Sequence, residues 1–85
     1  MSDIDAKFEQ AQKDATSLPS KPGNDVLLKL YSHYKQASAG DCTGDRPGMM
    51  DIAGRAKFDA WKKLAGTSND QAKEDYVGIV EGLKG

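Results

Sequence analysis

A single cysteine, Cys42, excludes an internal disulfide and favours a reducing compartment. A single histidine, His33, beside that one thiol leaves too few ligands for a transition-metal cluster. No apolar run approaches the ~20 residues that a membrane-spanning helix needs, and the segment MSDIDAKFEQ lacks the basic-then-apolar pattern of a secretory signal. The expected compartment is therefore cytoplasmic. Twelve Lys and Arg stand against thirteen Asp and Glu, a formal net charge of -1, so bulk attraction to nucleic acid or an anionic surface is not encoded. Any anion must be recognised locally, by a few bases on one face. Alternation of apolar and polar residues persists nowhere, which argues against strands, and neither repeats nor low-complexity tracts occur.

What is present is a helical period. Eighty-five residues suffice for one domain, expected over 1–85, with a modest core. Ser2 followed by Asp5 reads as an N-cap with an acid in the first turn. Ile4, Phe8, Ala11, Ala15 and Leu18 then mark one face until Pro19, Pro22 and Gly23 force a loop. Asn24 and Asp25 predict the start of a second helix, which Gly40 stops. Residues 40 to about 50 have no periodicity and predict an ordered surface loop, of a length that is often functional or draped over a neighbouring element. A third helix is expected over Met50 to Leu64, with Ala53, Lys57, Ala60, Trp61 and Leu64 on one face. Ser68 with Gln71 is a capping-box pattern opening a fourth helix, striped by Ala72, Tyr76, Val77, Ile79, Val80 and Leu83. Gly78 and Gly82 weaken that helix by roughly 1 kcal/mol each relative to alanine, so tertiary packing must hold it. The expected fold is an all-α bundle of four helices.

The segment LLKLYSHYKQ is the most informative. As a helix it puts Leu27, Leu28, Tyr31, Tyr34 and Lys35 on one side and Lys29, Ser32, His33 and Gln36 on the other. A lysine on the tyrosine side is unusual, because lysines ordinarily stay where their charge is hydrated. The pattern appears twice: Lys35 lies about 40° from Tyr31, and Lys57 about 40° from Trp61, each four residues from an aromatic on its own helix. Either lysine alone is explained by a stem covering apolar surface while the ammonium reaches water. Two of them on different helices, with phenols nearby, point to a phosphate site. Phenol hydroxyls donate to phosphate oxygen, their rings stack on a base, and lysine supplies a point charge.

Other features imitate sites. Asp41, Thr43 and Asp45 alternate like the start of a calcium loop, but the sixth position is Arg46 where glycine is needed and the twelfth is Ile52 where glutamate is needed. Cys42 stands in a glycine-containing loop, is expected to be exposed, and has no histidine near in sequence to make it a thiolate catalyst. The acidic residues show no pairing pattern. Nothing reads as catalytic machinery.

The segments LYSHYKQASAGD, RPGMMDIAGRAKFDAWKKLAGTS and AKEDYV resemble the acyl-CoA-binding proteins, also called diazepam-binding inhibitor. The resemblance covers essentially the whole chain without a gap, including Phe8 and the Lys21–Pro22 pair. Its signature is long and specific: YKQA-x-x-GD, then RPG, then K-x-x-AW.

The resemblance implies a four-helix up-down-down-up bundle that binds medium- to long-chain acyl-CoA esters in a shallow bowl. It implies that Tyr31, Lys35 and Lys57 hold the 3′-phosphate, that adenine stacks near Tyr34, and that Tyr76 closes the site from the last helix. Leu27 and Leu28 would contribute to the groove for the acyl chain. Such proteins carry their ligand without transforming it, so no enzyme activity, cofactor or nucleic-acid partner is expected. A monomer is expected, in transient contact with membranes or acyl-CoA-using enzymes. Thr16 stands where many relatives carry a base, Ala53 where a lysine is frequent, and Gln12 where a small residue is usual. Arg55 is a poor substitute, at about 160° from Lys57 around the helix. The rival reading is a helical interaction module whose groove takes an amphipathic peptide.

Overall fold

The computed structural model describes residues 3–19 and 21–84. Helices form where the period placed them: α1 over Asp3–Thr16, α2 over Asn24–Ala39, α3 over Ile52–Lys62 and α4 over Asn69–Lys84. Among the described residues there is no strand.

The ends of the helices differ in detail from the sequence pattern. Ser2 lies outside the described residues, though Asp3 and Asp5 do place acid in the first turn of α1. Gly23, not Asn24, is the N-cap of α2, and no side chain caps it; Asn24 is already helical. The third helix is shorter than expected, because the Asp51 carboxylate takes the Gly54 N–H at 2.9 Å and fixes the start at Ile52. A β-carbon on Gly54 would lie 2.3 Å from that carboxylate, so the cap requires glycine there. The far end loosens after Lys62 into turns before Leu64. Ser68 does cap α4, accepting from the Gln71 N–H at 3.1 Å. The reciprocal half of the box is missing, since the Gln71 amide reaches forward to Asp75. Gly40 ends α2 with φ of 86°, in the left-handed region that favours glycine.

Side-chain bonds set the directions of the helices. Lys73 pairs with Asp5 and Lys84 with Asp14, so α4 runs parallel to α1. Asn69 donates to the Ala37 carbonyl at 2.8 Å, joining the start of α4 to the end of α2, so those two are antiparallel. Trp61 Nε1–H donates to the Gly40 carbonyl at 2.8 Å and Lys57 lies against Tyr31, so α3 runs parallel to α2. The order is up-down-down-up. In space α1 packs on α4, α4 on α2 and α2 on α3, and the Cα positions span only 37 × 30 × 14 Å. The result is a thin, curved layer.

The core reflects that serial packing. Phe8 and Ala11 of α1, Leu30 and Ala37 of α2, and Ala72, Tyr76 and Val80 of α4 are buried. In α3 no residue is buried. Ala72, Tyr76 and Val80 repeat at intervals of four, which is how packing secures α4 despite its glycines.

The polar side of α2 is not a solvent side. Ser32 and Gln36 are 3% and 0% exposed, because α2 is covered by the turn between α3 and α4 as well as by two helices. Ser32 returns its hydroxyl to the Lys29 carbonyl at 3.0 Å. Gln36 Nε2 donates to Asp41 Oδ1 and to the Thr67 carbonyl, both at 2.8 Å, and Asp41 Oδ1 also accepts the Gly66 N–H at 2.9 Å. This one amide ties α2, the 40–51 loop and the 63–68 turn together. The loop is pinned a second time by Arg46, whose guanidinium grips Asp59 at 3.0 and 2.6 Å. Cys42 is partly buried in that loop instead of exposed.

Replacing Gln36 by leucine leaves the Thr67 carbonyl without its donor and is expected to cost about 1–3 kcal/mol in urea denaturation. A loss under about 0.5 kcal/mol would show that this amide is incidental to the fold. The carboxyls of Asp14, Asp41 and Asp59 are held below the usual 3.8. The causes are bonds from Gln10 and then Lys84 to Asp14, from Gln36 and then the Gly66 N–H to Asp41, and from Arg46 to Asp59. A depressed folded-state value means that the stability these acids contribute is complete above the unfolded value and is lost as pH falls through the folded one. The denaturation midpoint is therefore expected to drop from about pH 4 downward. Asp41→Asn still accepts from Gln36 but does not titrate, so its acid limb should be shallower; an identical limb would place the acid sensitivity elsewhere.

Candidate functional site

Because α2 and α3 run parallel, their first turns diverge around an open pocket of about 530 Å³. Leu27, Leu28 and Tyr31 line it from α2, and Ile52, Ala53, Ala56 and Lys57 from α3, with Asn24 at one end. Its size is that of a small-ligand cleft, its walls are mainly hydrocarbon, and its charged lining residue is Lys57. Four of the residues singled out from sequence meet here: Leu27, Leu28, Tyr31 and Lys57.

The two lysines are paired with aromatics, but across the helix seam. Lys35 Nζ lies 5.1 Å from the centroid of Trp61, and Lys57 Nζ lies 5.4 Å from that of Tyr31. The spacing predicted Tyr31 with Lys35 and Trp61 with Lys57, each on one helix. The parallel register sets position 31 beside 57 and 35 beside 61, so each ammonium covers the ring of the other helix. Within-helix pairing does occur elsewhere on α3, where Lys62 covers Phe58 at 5.7 Å. Among the described residues neither Lys35 nor Lys57 has a carboxylate within 4.0 Å, whereas Lys73, Lys84 and Arg46 are each committed to aspartates. Lys57 thus stands in the wall of the apolar pocket and Lys35 one turn beyond it along the seam, and among the described residues no acid neutralises either.

Tyr34 and Tyr76 form a second group. Tyr34 is 40% exposed and stacks on Phe8 with ring centroids 6.1 Å apart, and Tyr76 also meets Phe8, edge-on at 5.2 Å. Tyr76 is nearly buried, and that burial, with Tyr34 nearby as a lesser cause, raises its phenol above the ordinary 10.0. It stays protonated at neutral pH and can only donate one proton or accept. Phe8, which sequence spacing assigned to core alone, is thus the ring through which Tyr76 on α4 supports Tyr34 on α2. The groove residues Asn24, Ile52 and Ala56 also escaped notice, although Ala53, Ala56 and Lys57 share one side of α3 by spacing.

His33 stays off the site, as expected. Its Nδ1 lies 2.7 Å from the Lys29 carbonyl and its Nε2 4.0 Å from Asp75, between α2 and α4. Thr16 is exposed and returns its hydroxyl to the Lys13 carbonyl at 2.7 Å. Arg55 does not line the pocket; its charge acts on Asp59, four residues on. Ala53 does line the pocket, on its exposed side. Among the described residues no group of three or more His, Cys, Asp or Glu is placed to hold a metal ion.

The crossed pairing has a direct readout. Lys35→Ala removes the cation over the indole and is expected to shift Trp61 emission in the ligand-free protein, whereas Lys57→Ala should leave it nearly unchanged. Equal shifts from both would mean that the seam register is wrong.

The family model described as acyl CoA binding protein matches residues 5–80. An acyl-CoA-binding protein homolog of Manduca sexta is 46% identical over 81 residues, covering 94% of this chain and 90% of the relative. The acyl-CoA-binding protein of Saccharomyces cerevisiae is 41% identical over 76 residues, covering 89% of this chain and 87% of its own. The crystal structure of Oryza sativa acyl-CoA-binding protein 2 superposes with a TM-score of 0.89 at 39% identity, over 94% of this chain and 87% of that one. An acyl-CoA-binding protein structure from Moniliophthora perniciosa gives 0.83 at 44% identity, over 93% and 76%. With four parallel and antiparallel helices in the same arrangement and a match along nearly its whole length, the chain belongs to the acyl-CoA-binding protein family.

Proposed function

We propose that this chain, as one acyl-CoA-binding domain over residues 1–85, binds, buffers and carries medium- to long-chain acyl-CoA esters without transforming them. The observation that carries the reading is the pair of ammonium groups along the α2–α3 seam, Lys57 in the wall of the apolar pocket and Lys35 one turn beyond it, each over an aromatic ring instead of on a carboxylate. A ligand that is anionic at one end and hydrocarbon at the other is complementary to that arrangement. In this reading Tyr31, Lys35 and Lys57 hold the ribose 3′-phosphate, and Tyr34 offers the exposed ring on which adenine stacks. Tyr76 backs Tyr34 through Phe8. Leu27 and Leu28 face the acyl chain, joined by the wall that α3 supplies. The protein acts as a cytoplasmic monomer needing no cofactor, and it loads and unloads at membranes or on acyl-CoA-using enzymes.

Magnitudes assign the two ends different tasks. Burying ten methylenes contributes up to roughly 8 kcal/mol at about 0.8 each, against association costs of about 4 kcal/mol or more. The tail therefore supplies most of the affinity. The phosphate contacts decide acyl-CoA against free fatty acid, and they weaken with salt because the site is open. With Ala53 small and uncharged, and Thr16 turned to its own backbone, head-group attraction rests on two lysines.

Calorimetry with palmitoyl-CoA, its 3′-dephospho analogue and palmitate tests the assignment. The expected order is tight, weaker and weakest. Lys57→Ala should weaken palmitoyl-CoA by about tenfold or more while changing the dephospho form by less than about threefold. Equal losses on both would mean that the lysine acts through packing or general charge. No binding of any of the three would remove the proposed function.

A further inference from the structure

Met49, Met50 and Ile52 are 81%, 96% and 79% exposed. They occupy the turn that follows Pro47 and leads into α3. The Asp51 N–H donates to the Gly48 carbonyl at 3.0 Å, which closes the turn and leaves residues 49 and 50 at its outer corner. Large apolar residues exposed singly need no explanation, but three within four positions on one closed turn do. Ile52 also lines the α2–α3 pocket, so the patch continues into the wall of the groove.

Charge and size narrow the occupant. Arg46, the cation of this turn, is spent on Asp59, and the acids beside it, Asp45 and Asp51, would repel an anionic surface, so the corner offers nothing to draw in an acidic partner. Three side chains offer a few hundred Å² at most, against about 800 Å² per partner in a standard protein interface. A narrow, projecting corner of unbranched thioethers is poorly shaped for a flat protein surface. It is well shaped for entering the boundary between headgroups and hydrocarbon, where its flexible side chains adapt to the lipid.

We infer that the Met49–Met50 corner is a membrane-docking tip that enters a zwitterionic lipid surface and brings the mouth of the groove to acyl chains held there. Its purpose rests on the acyl-CoA reading; its lipid contact does not. Docking at the same edge as Ile52 lets a tail pass from bilayer to groove along a continuous apolar surface. Because the turn itself holds no uncommitted cation, attachment is weak and little changed by salt, as suits a carrier that must leave again.

The test is sedimentation of the full chain, without ligand, with neutral phosphatidylcholine vesicles and with vesicles containing phosphatidylserine, at low and high salt. The native chain should partition onto neutral vesicles with less than about a twofold change with salt. A Met49→Ser, Met50→Ser double variant should lose at least about tenfold of that partitioning. Its circular dichroism and its affinity for the short, soluble octanoyl-CoA should stay native, since neither methionine lines the pocket. Transfer of a fluorescent acyl-CoA to vesicles should accelerate with vesicle concentration for the native chain and not for the variant. Equal sedimentation of the two chains would overturn the proposal, as would binding confined to anionic vesicles at low salt. A concentration-dependent dimer abolished in the variant would overturn it too, assigning the tip to a second copy. Normal vesicle binding with no octanoyl-CoA or palmitoyl-CoA affinity would instead sink the ligand reading and leave the tip standing.

Discussion

One buried amide holds the site in register. Gln36 Nε2 is bonded at once to Asp41, just beyond the end of α2, and to Thr67, just before the start of α4. Those two bonds turn the chain at Gly40 and bring the exit of α3 back against α2, where Trp61 closes onto the Gly40 carbonyl. With the C-terminal ends of α2 and α3 fixed to each other, the helices can only run parallel, and the seam between them follows. Lys57 then falls on Tyr31 and Lys35 on Trp61, and the opposite ends splay apart into the groove. A buried side-chain amide is expensive unless satisfied. Here it is satisfied on its donor side, and among the described residues its Oε1 takes no partner.

Electrostatics follows from which cations are already committed. The chain carries slightly more acid than base, so no long-range field draws an anion in. Lys73 and Lys84 bind aspartates of α1 and hold α4 parallel to it; Arg46 binds Asp59 and holds the loop. These pairs organise the fold and, among the described residues, leave the seam lysines without a carboxylate. Aromatic faces steady those two ammonium groups without cancelling their charge. A pair of cations kept on rings keeps its charge available to an anion, the proposed phosphate among them, as the same pair kept on carboxylates would not.

Much of this was legible in the sequence, for physical reasons that also mark where legibility ends. Apolar spacing located all four helices, since a period of 3.6 survives without knowledge of partners. It identified Tyr31, Lys35 and Lys57 because a charged residue beside an aromatic on an apolar face is anomalous by itself. It could not say which aromatic each lysine meets, because that depends on the register of α2 against α3, a property of two helices. Ser32 and Gln36 were placed on the side away from the tyrosines, which was correct in angle and misleading about burial. A helix touched on three sides has no single wet face, and periodicity presumes that it does. Only the family resemblance ties Tyr76 to the candidate site; the contact of Phe8 with both Tyr76 and Tyr34 joins three helices and leaves no trace in any one of them. Cap identity at Asn24 failed for a smaller reason, a boundary moved by one residue.

Of the four helices, α3 alone has no buried residue. The hydrocarbon it carries at Ala53, Ala56 and Ile52 faces the groove, and its ties to the rest are the Trp61 bond, the Arg46 grip and the crossed lysines. On the proposed function, an apolar guest in the groove would add a second packing surface to a helix that otherwise packs on α2 alone. Occupancy and the local order of α3 become linked quantities, each raising the other in the same proportion. On that reading an empty carrier would be the softer one in this half of the molecule, and the fraction of chains open to proteolytic attack there would be governed by how much cargo is at hand.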